Sequence, residues 1–180
     1  EGRYKEAGNI KNAVPFLHQD PDSDEILGQC EESGRDQGHA TLCVSLMGAF
    51  CQMAYSIGED LFAFDNYRAV AMAEYVGKYN LIKDEAFNKG TLVGDDFVYD
   101  SHSFPYTSYS NPSYTNATIS TDQRGTKRPA WELFYGYCKA KGISSIYSGK
   151  WAEQMRPDGG GGNYGPNSGG FDQLGFGTLM

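Results

Sequence analysis

Ser33-Gly34-Arg35-Asp36-Gln37-Gly38-His39, continued by the run Ala40 to Ile57 and closed by Gly58, is the stretch on which the fold turns. From His39 to Ile57 nearly every position is apolar or small, and Gly58 supplies a stop. Ser33 and Asp36 stand three residues apart in a Ser/Thr-x-x-Asp/Glu helix start, with Ser33 as the N-cap. The segment predicts a helix that is apolar nearly all round, and such a helix is either deeply buried or membrane-spanning. His39, Ser45 and Gln52 within it, and the lack of a second hydrophobic span, favour the buried helix. It needs apolar cover on every side, and the chain offers few amphipathic partners, so partner helices outside this chain are expected.

Working outward, Asp65 or Asn66 can cap a second helix that runs to about Tyr79. Tyr67, Val70, Ala71, Glu74 and Tyr75 give it the i, i+3, i+4 spacing of one face. Pro129 opens a third helix, which runs from Ala130 to Lys141 and ends at Gly142. A short fourth, around Trp151 to Met155, is stopped by Pro157. Residues 1–30, including the acidic stretch Asp20 to Glu25, read as loop with at most a short helix near the start. A long loop covers about Asn80 to Thr126, and the interleaved Tyr106, Tyr109 and Tyr114 mark it as ordered and functional. Gly159 to Gly162 reads as a flexible stretch, because no strand precedes it and no Gly-Lys-Ser/Thr follows. No convincing alternating strand of more than a few residues is visible, so the expected class is all-α, with residues 1–180 forming one domain.

The charge balance narrows the function. Fifteen Lys and Arg stand against 23 Asp and Glu, a net charge of −8 over 180 residues. A chain this acidic is a poor generic binder of nucleic acid or anionic membranes, so neither is expected as a partner. Cys30, Cys43, Cys51 and Cys138 contain no Cys-x-x-Cys, which argues against zinc, and no other feature demands a metal or cofactor. Cys43 and Cys51 lie in the apolar run and are expected as buried free thiols.

Two groups can carry chemistry. His39 and Arg35 are four residues apart and project from one helix face. They read either as a satisfied core histidine with a structural arginine, or as a base with a cation beside it for an anionic group. Arg124, Lys127 and Arg128 form the strongest local positive patch, just before a helix start that itself favours anions. Trp131 and Tyr135 share a face of that helix and are either core aromatics or a stacking platform with a phenol donor, an arrangement suited to an acidic sugar.

Glu32-Ser33-Gly34-Arg35-Asp36-Gln37-Gly38-His39, Gly58-Glu59-Asp60-Leu61-Phe62, Asp65-Asn66-Tyr67-Arg68, Glu74-Tyr75-Val76, Tyr79-Asn80-Leu81 and Arg128-Pro129-Ala130-Trp131-Glu132-Leu133 occur in that order. This ordered set, from about Glu31 to the end, resembles the alginate-lyase-type polysaccharide lyases, in the branch acting on mannuronate or glucuronate polymers. The resemblance implies an α/α toroid with long ordered loops, of which this chain is the C-terminal portion, needing the remaining half. It implies β-elimination on an acidic polysaccharide in a periplasmic or secreted setting, giving 4,5-unsaturated products. It aligns His39 with the family histidine, and Arg128 and Tyr135 match an Arg and a catalytic Tyr seven residues apart. Tyr109 stands beside Tyr135 as the other candidate for the catalytic tyrosine. Arg35, Gln37, Tyr106 and Trp131 are the expected substrate-binding residues; the resemblance implies a carboxylate neutraliser that is either Gln37 in place of the family's asparagine or an asparagine from the missing half. A glycoside hydrolase, which needs two carboxylates at a set separation, and a non-catalytic polysaccharide-binding fragment are the alternatives.

Overall fold

The computed structural model describes residues 10–111 and 114–155. Within them lie four long helices: α1 Gln37–Ser56, α2 Phe64–Asn80, α3 Trp131–Lys141 and α4 Ile146–Met155. They are accompanied by two antiparallel hairpins. Strand β1 (Phe16–Gln19) pairs with β2 (Ile26–Gln29), Phe16 opposite Gln29 and Gln19 opposite Ile26. Strand β3 (Tyr109–Asn111) pairs with β4 (Tyr114–Asn116).

These hairpins overturn the expected all-α class and, with it, the expected α/α toroid: the chain is a small mixed domain of helices and short strands. The strands have three or four residues each, too few for a period-two alternation to declare itself. The first hairpin is integral to the core. Leu27 and Gln29 of β2 are buried, and Gly28 lies so close to α2 that a Cβ there would stand 2.9 Å from the Met72 amide nitrogen. The acidic stretch Asp20 to Glu25 is the turn of that hairpin.

Helix α1 is capped three residues later than the sequence suggests. Asp36, and not Ser33, is its N-cap: Asp36 Oδ1 accepts from the His39 amide at 2.8 Å, while Ser33 lies in the preceding 3₁₀ turn Glu31–Gly34. Nor is α1 buried all round. Ala40, Val44, Gly48 and Cys51 face inward, whereas Leu46, Phe50, Met53 and Ile57 stay exposed, Ile57 at 73%. No helix among the described residues is long and apolar enough to cross a membrane.

Contacts along the helices fix their directions. Thr41 meets Arg128, Gly48 meets Leu133 and Phe134, and Tyr55 meets Tyr137, so α1 and α3 run the same way. Gly48 permits this approach, since a Cβ there would stand 2.9 Å from the Phe134 ring. Asn80 meets Gln37, so α2 runs opposite to α1. Glu74 meets Tyr147 and Gly77 meets Trp151, so α4 follows α2. The N-termini of α1 and α3 and the C-terminus of α2 therefore gather at one end of the domain.

Helix α2 opens on three consecutive left-handed residues, Asp65, Asn66 and Tyr67, with φ of 49°, 58° and 62°. Regular α geometry starts at Arg68, whose Nε donates to Asp65 at 2.5 Å and whose Nη1 donates to the Val14 carbonyl at 2.7 Å. The sequence signal for a cap at Asp65 or Asn66 thus marks a left-handed turn instead. Helix α3 ends as its sequence predicts, on Gly142 at φ 68°. Helix α4 starts five residues before the expected Trp151, because a buried side chain from another helix, Glu74, satisfies its first amides.

Candidate functional site

At the gathered end, the turn before α1 brings two side chains and a backbone amide onto one carboxylate, Asp36. Asp36 Oδ2 lies 2.6 Å from His39 Nδ1 and 3.7 Å from Arg35 Nε, while Asp36 Oδ1 caps the helix. Arg35 is also paired with Glu32, Nη1 to Oε2 at 3.3 Å. The imidazole side chain is 40% exposed and that of Arg35 is 45% exposed, whereas Asp36 is almost wholly covered. In the neutral imidazole, a proton on Nδ1 directed at Asp36 leaves the Nε2 lone pair free to act as a base. Asp36, expected as the second member of a Ser33-capped start, is thus both the cap and one half of an Asp–His dyad. The signal was available, since a carboxylate at the N-cap and a histidine three residues on lie on the same turn.

The other two described histidines are differently placed. His18 Nε2 is engaged with Gln29 Oε1 at 2.9 Å and its ring stacks on Tyr75, within the first hairpin. His102 pairs with Asp100 at 3.0 Å, but its side chain is 91% exposed and nothing encloses it.

Gln37 is not placed to neutralise a substrate carboxylate. It is buried, its Nε2 donates to the Ser33 and Ser120 carbonyls at 2.9 and 3.0 Å, and its Oε1 accepts from Asn80 at 2.9 Å. Asn80 in turn accepts from the Gly125 amide at 2.9 Å. The pair ties α1, the end of α2 and the loop before α3 into one network, which no single-residue motif announces.

The positive patch is folded inward. Arg124 lies over the rings of Tyr79 and Phe97 and donates to the Tyr79 and Tyr99 carbonyls at 2.8 and 2.7 Å. Lys127 lies over Phe87 and donates to its carbonyl at 2.5 Å. Burial pulls both below their ordinary values. Arg128 is 9% exposed, and its Nε donates to Thr41 Oγ1 at 3.3 Å, pinning the entry to α3 against the first turns of α1. Arg35 is the half-exposed cation at the His39 turn.

Trp131 is a core residue and no platform: it is 1% exposed and stacks on Trp151 at 5.2 Å. Tyr135 packs towards α4, against Gly149, while its neighbours Leu133 and Phe134 take the face turned to α1. The loop tyrosines lie over the first hairpin. Tyr109 meets Phe16 edge-on at 6.1 Å. Tyr106 is half-buried, which raises its phenol, and it precedes Thr107, whose amide and carbonyl are both bonded to Gln29. Tyr106 also lies near Tyr75, which in turn neighbours Cys30.

Cys30 and Cys43 complete this region. Cys30 is buried just after β2, and Cys43 is half-buried one helical turn beyond His39. Cys51 is buried as expected; Cys43 departs from that expectation. Among the described residues no group of three or more His, Cys, Asp or Glu is placed to hold a metal ion. Comparison with known protein families, with curated proteins and with solved structures gives no match.

Proposed function

We propose that this chain acts in a polysaccharide lyase that cleaves uronic-acid polymers, of the polymannuronate or glucuronan type, by β-elimination. The observation that carries the reading is the Asp36–His39 contact, a half-exposed imidazole held at Nδ1 with a cation beside it. The ordered sequence motifs from Glu32 to Leu133 support it.

The chemistry asks for three things. The C5 hydrogen of a uronate is weakly acidic, so a base must be aimed at it: His39 Nε2 takes the proton, and Asp36 stabilises the imidazolium that forms. Charge then builds on the carboxylate, and Arg35 is the cation available to it. The electron pair forms the C4–C5 double bond as the C4–O4 bond breaks, and a tyrosine hydroxyl protonates O4. Tyr106 and Tyr109 are the proposed donors, because Tyr135 is turned towards α4. A hydrolase is less well served: Glu74 is buried among amide donors and Asp36 is engaged with its cap and His39.

The test is the ultraviolet absorbance of the unsaturated product when the whole protein meets polymannuronate or glucuronan. His39→Ala is expected to lower that rate by about 100- to 10,000-fold, the usual contribution of a general base. Unchanged turnover in His39→Ala would remove the dyad from the mechanism, and products without the double bond would replace the lyase by a hydrolase.

A further inference from the structure

We propose that the outer face of α1 docks a second copy of this chain, which lays its own α1 antiparallel across it about a two-fold axis near Phe50. The inference does not rest on the lyase reading, because it uses only the outer side of one helix. Leu46, Phe50, Met53 and Ile57 are 55%, 39%, 65% and 73% exposed, and they stand four, three and four residues apart. That spacing sets them on one stripe of an α-helix, the arrangement by which paired helices meet. The opposite side of α1 is already taken: Thr41 meets Arg128, and Gly48 meets Leu133 and Phe134. From Gln37 to Gly58 there is no Asp, Glu, Lys or Arg, in a chain where such residues make up 21%. A helix face meant for water carries charged or polar side chains, and this one carries large apolar ones.

Self-complementarity identifies the occupant. With Leu42 four residues before Leu46, the stripe reads almost the same from either end. In an antiparallel pair crossing at Phe50, Leu46 falls opposite Met53 of the second copy and Leu42 near Ile57 of the second copy. The two Phe50 rings meet at the axis. A two-fold contact asks this of a surface, that each side chain find its counterpart on the same patch. Antiparallel pairing also sets the opposite ends of two helix dipoles side by side. The extent sets the strength. From Leu42 to Ile57 the helix rises about 22 Å, and packed helices approach to about 8–10 Å. Such a strip covers a few hundred Å², the size at which an exposed apolar patch marks a contact surface, and less than the roughly 800 Å² per partner of a standard stable interface. The dimer is therefore reversible and concentration-dependent. Each copy carries a net charge of −8, so two copies repel at long range and the uncharged face is where they can meet.

Sedimentation velocity on the whole protein, from about 1 to 200 µM, reads the assembly directly. The mass is expected to move from 19.8 kDa towards twice that value and to level off there. Added salt should strengthen the association, because it screens the repulsion between two acidic copies and no ion pair holds this face together. Phe50→Glu sets two carboxylates against each other at the axis and should raise the dissociation constant at least about tenfold. Leu46→Lys alone should weaken the dimer in the same way. Leu46→Lys combined with Met53→Glu in one chain should restore it, since the antiparallel register pairs each lysine with a glutamate of the second copy. Val93→Glu, at a 60% exposed apolar residue outside α1, should leave the mass unchanged. Circular dichroism confirms that each variant is folded, as substitution of exposed side chains allows. A wild-type protein that stays monomeric overturns the proposal whatever the variants do, and leaves the face to a different protein or to another segment of this chain. A mass that climbs past two copies, a dimer indifferent to the α1 substitutions, or a double variant that does not regain it also overturns it. Because mass is read without any substrate, a protein inactive on both polymers leaves this test intact.

Discussion

Two clusters in this molecule use the same ingredients to opposite ends. At the turn before α1, a carboxylate, a histidine and an arginine meet with the two bases about half-exposed. In the turn between β1 and β2, the buried Asp20 meets the buried Lys78 of α2. Lys78 also donates to Asp22 at 2.6 Å and lies over the rings of Tyr99 and Tyr147, and the Tyr147 hydroxyl donates to Asp20 at 2.5 Å. In the second cluster the ammonium and both Asp20 oxygens are enclosed, so it can hold the fold together but offers nothing to a ligand. In the first, the carboxylate is enclosed and the base is not. Reactivity is read from which member of a hydrogen-bonded group still faces solvent, and not from the residue types in it.

Breaking the sealed cluster should have the largest effect on stability. Asp20→Asn leaves Lys78 buried with only the half-exposed Asp22 as its carboxylate, and should cost about 3–5 kcal/mol in urea unfolding at neutral pH. Burial alone would raise the Asp20 carboxyl, but hydrogen bonds from Lys78, Tyr147, the Asp22 amide and Ser23 outweigh it and hold the group below its ordinary value. A carboxyl lowered on folding contributes stability that is complete above the ordinary aspartate range and is lost as pH falls through its folded value. The wild-type protein should therefore lose stability on acidification, and Asp20→Asn should flatten that limb. An equally steep acid limb in the variant would show that other carboxylates set it.

A second enclosed carboxylate sharpens the comparison. Glu74 of α2 accepts from the Tyr147 and Ser148 amides at 2.8 and 3.0 Å and from the Ser148 hydroxyl at 2.5 Å, at the start of α4. Burial raises it from its ordinary value against those hydrogen bonds. Glu74→Ala should cost about 2–3 kcal/mol, since it leaves helix-start amides without acceptors. Circular dichroism should show the loss in helix content near α4.

The smallest effects are expected at the open cluster. Asp36→Asn retains a side chain able to cap α1 and should change stability by less than about 1 kcal/mol. His39→Ala should stay within about 0.5 kcal/mol, because a half-exposed side chain leaves little cavity. On the lyase reading the ranking inverts for turnover, where His39→Ala is the most damaging of the four. A His39 variant that unfolds as readily as Asp20→Asn would place both clusters in the scaffold.

The helices were the legible part, because their signals are local. The apolar run with Gly58 behind it marks α1, and Pro129 and Gly142 bracket α3. Other parts were not legible. Strands of three or four residues have no period to read, and their partners lie across a turn. The early start of α4 depends on Glu74, some 70 residues away. At the site, His39 and Arg35 stood out by type and spacing, while the buried settings of Gln37, Arg128 and Trp131 did not. Each of these is defined by a distant partner: Asn80, Thr41 and Trp151.

By itself the sequence determined the net acidity and the presence of the three longest helices, because charge and periodicity act within a few residues along the chain. Tertiary structure decided that the chain is mixed and not all-helical, that the cations before α3 point inward, and which of two carboxylate clusters is sealed. Those outcomes depend on burial, and burial is a property of what another segment brings to the same place.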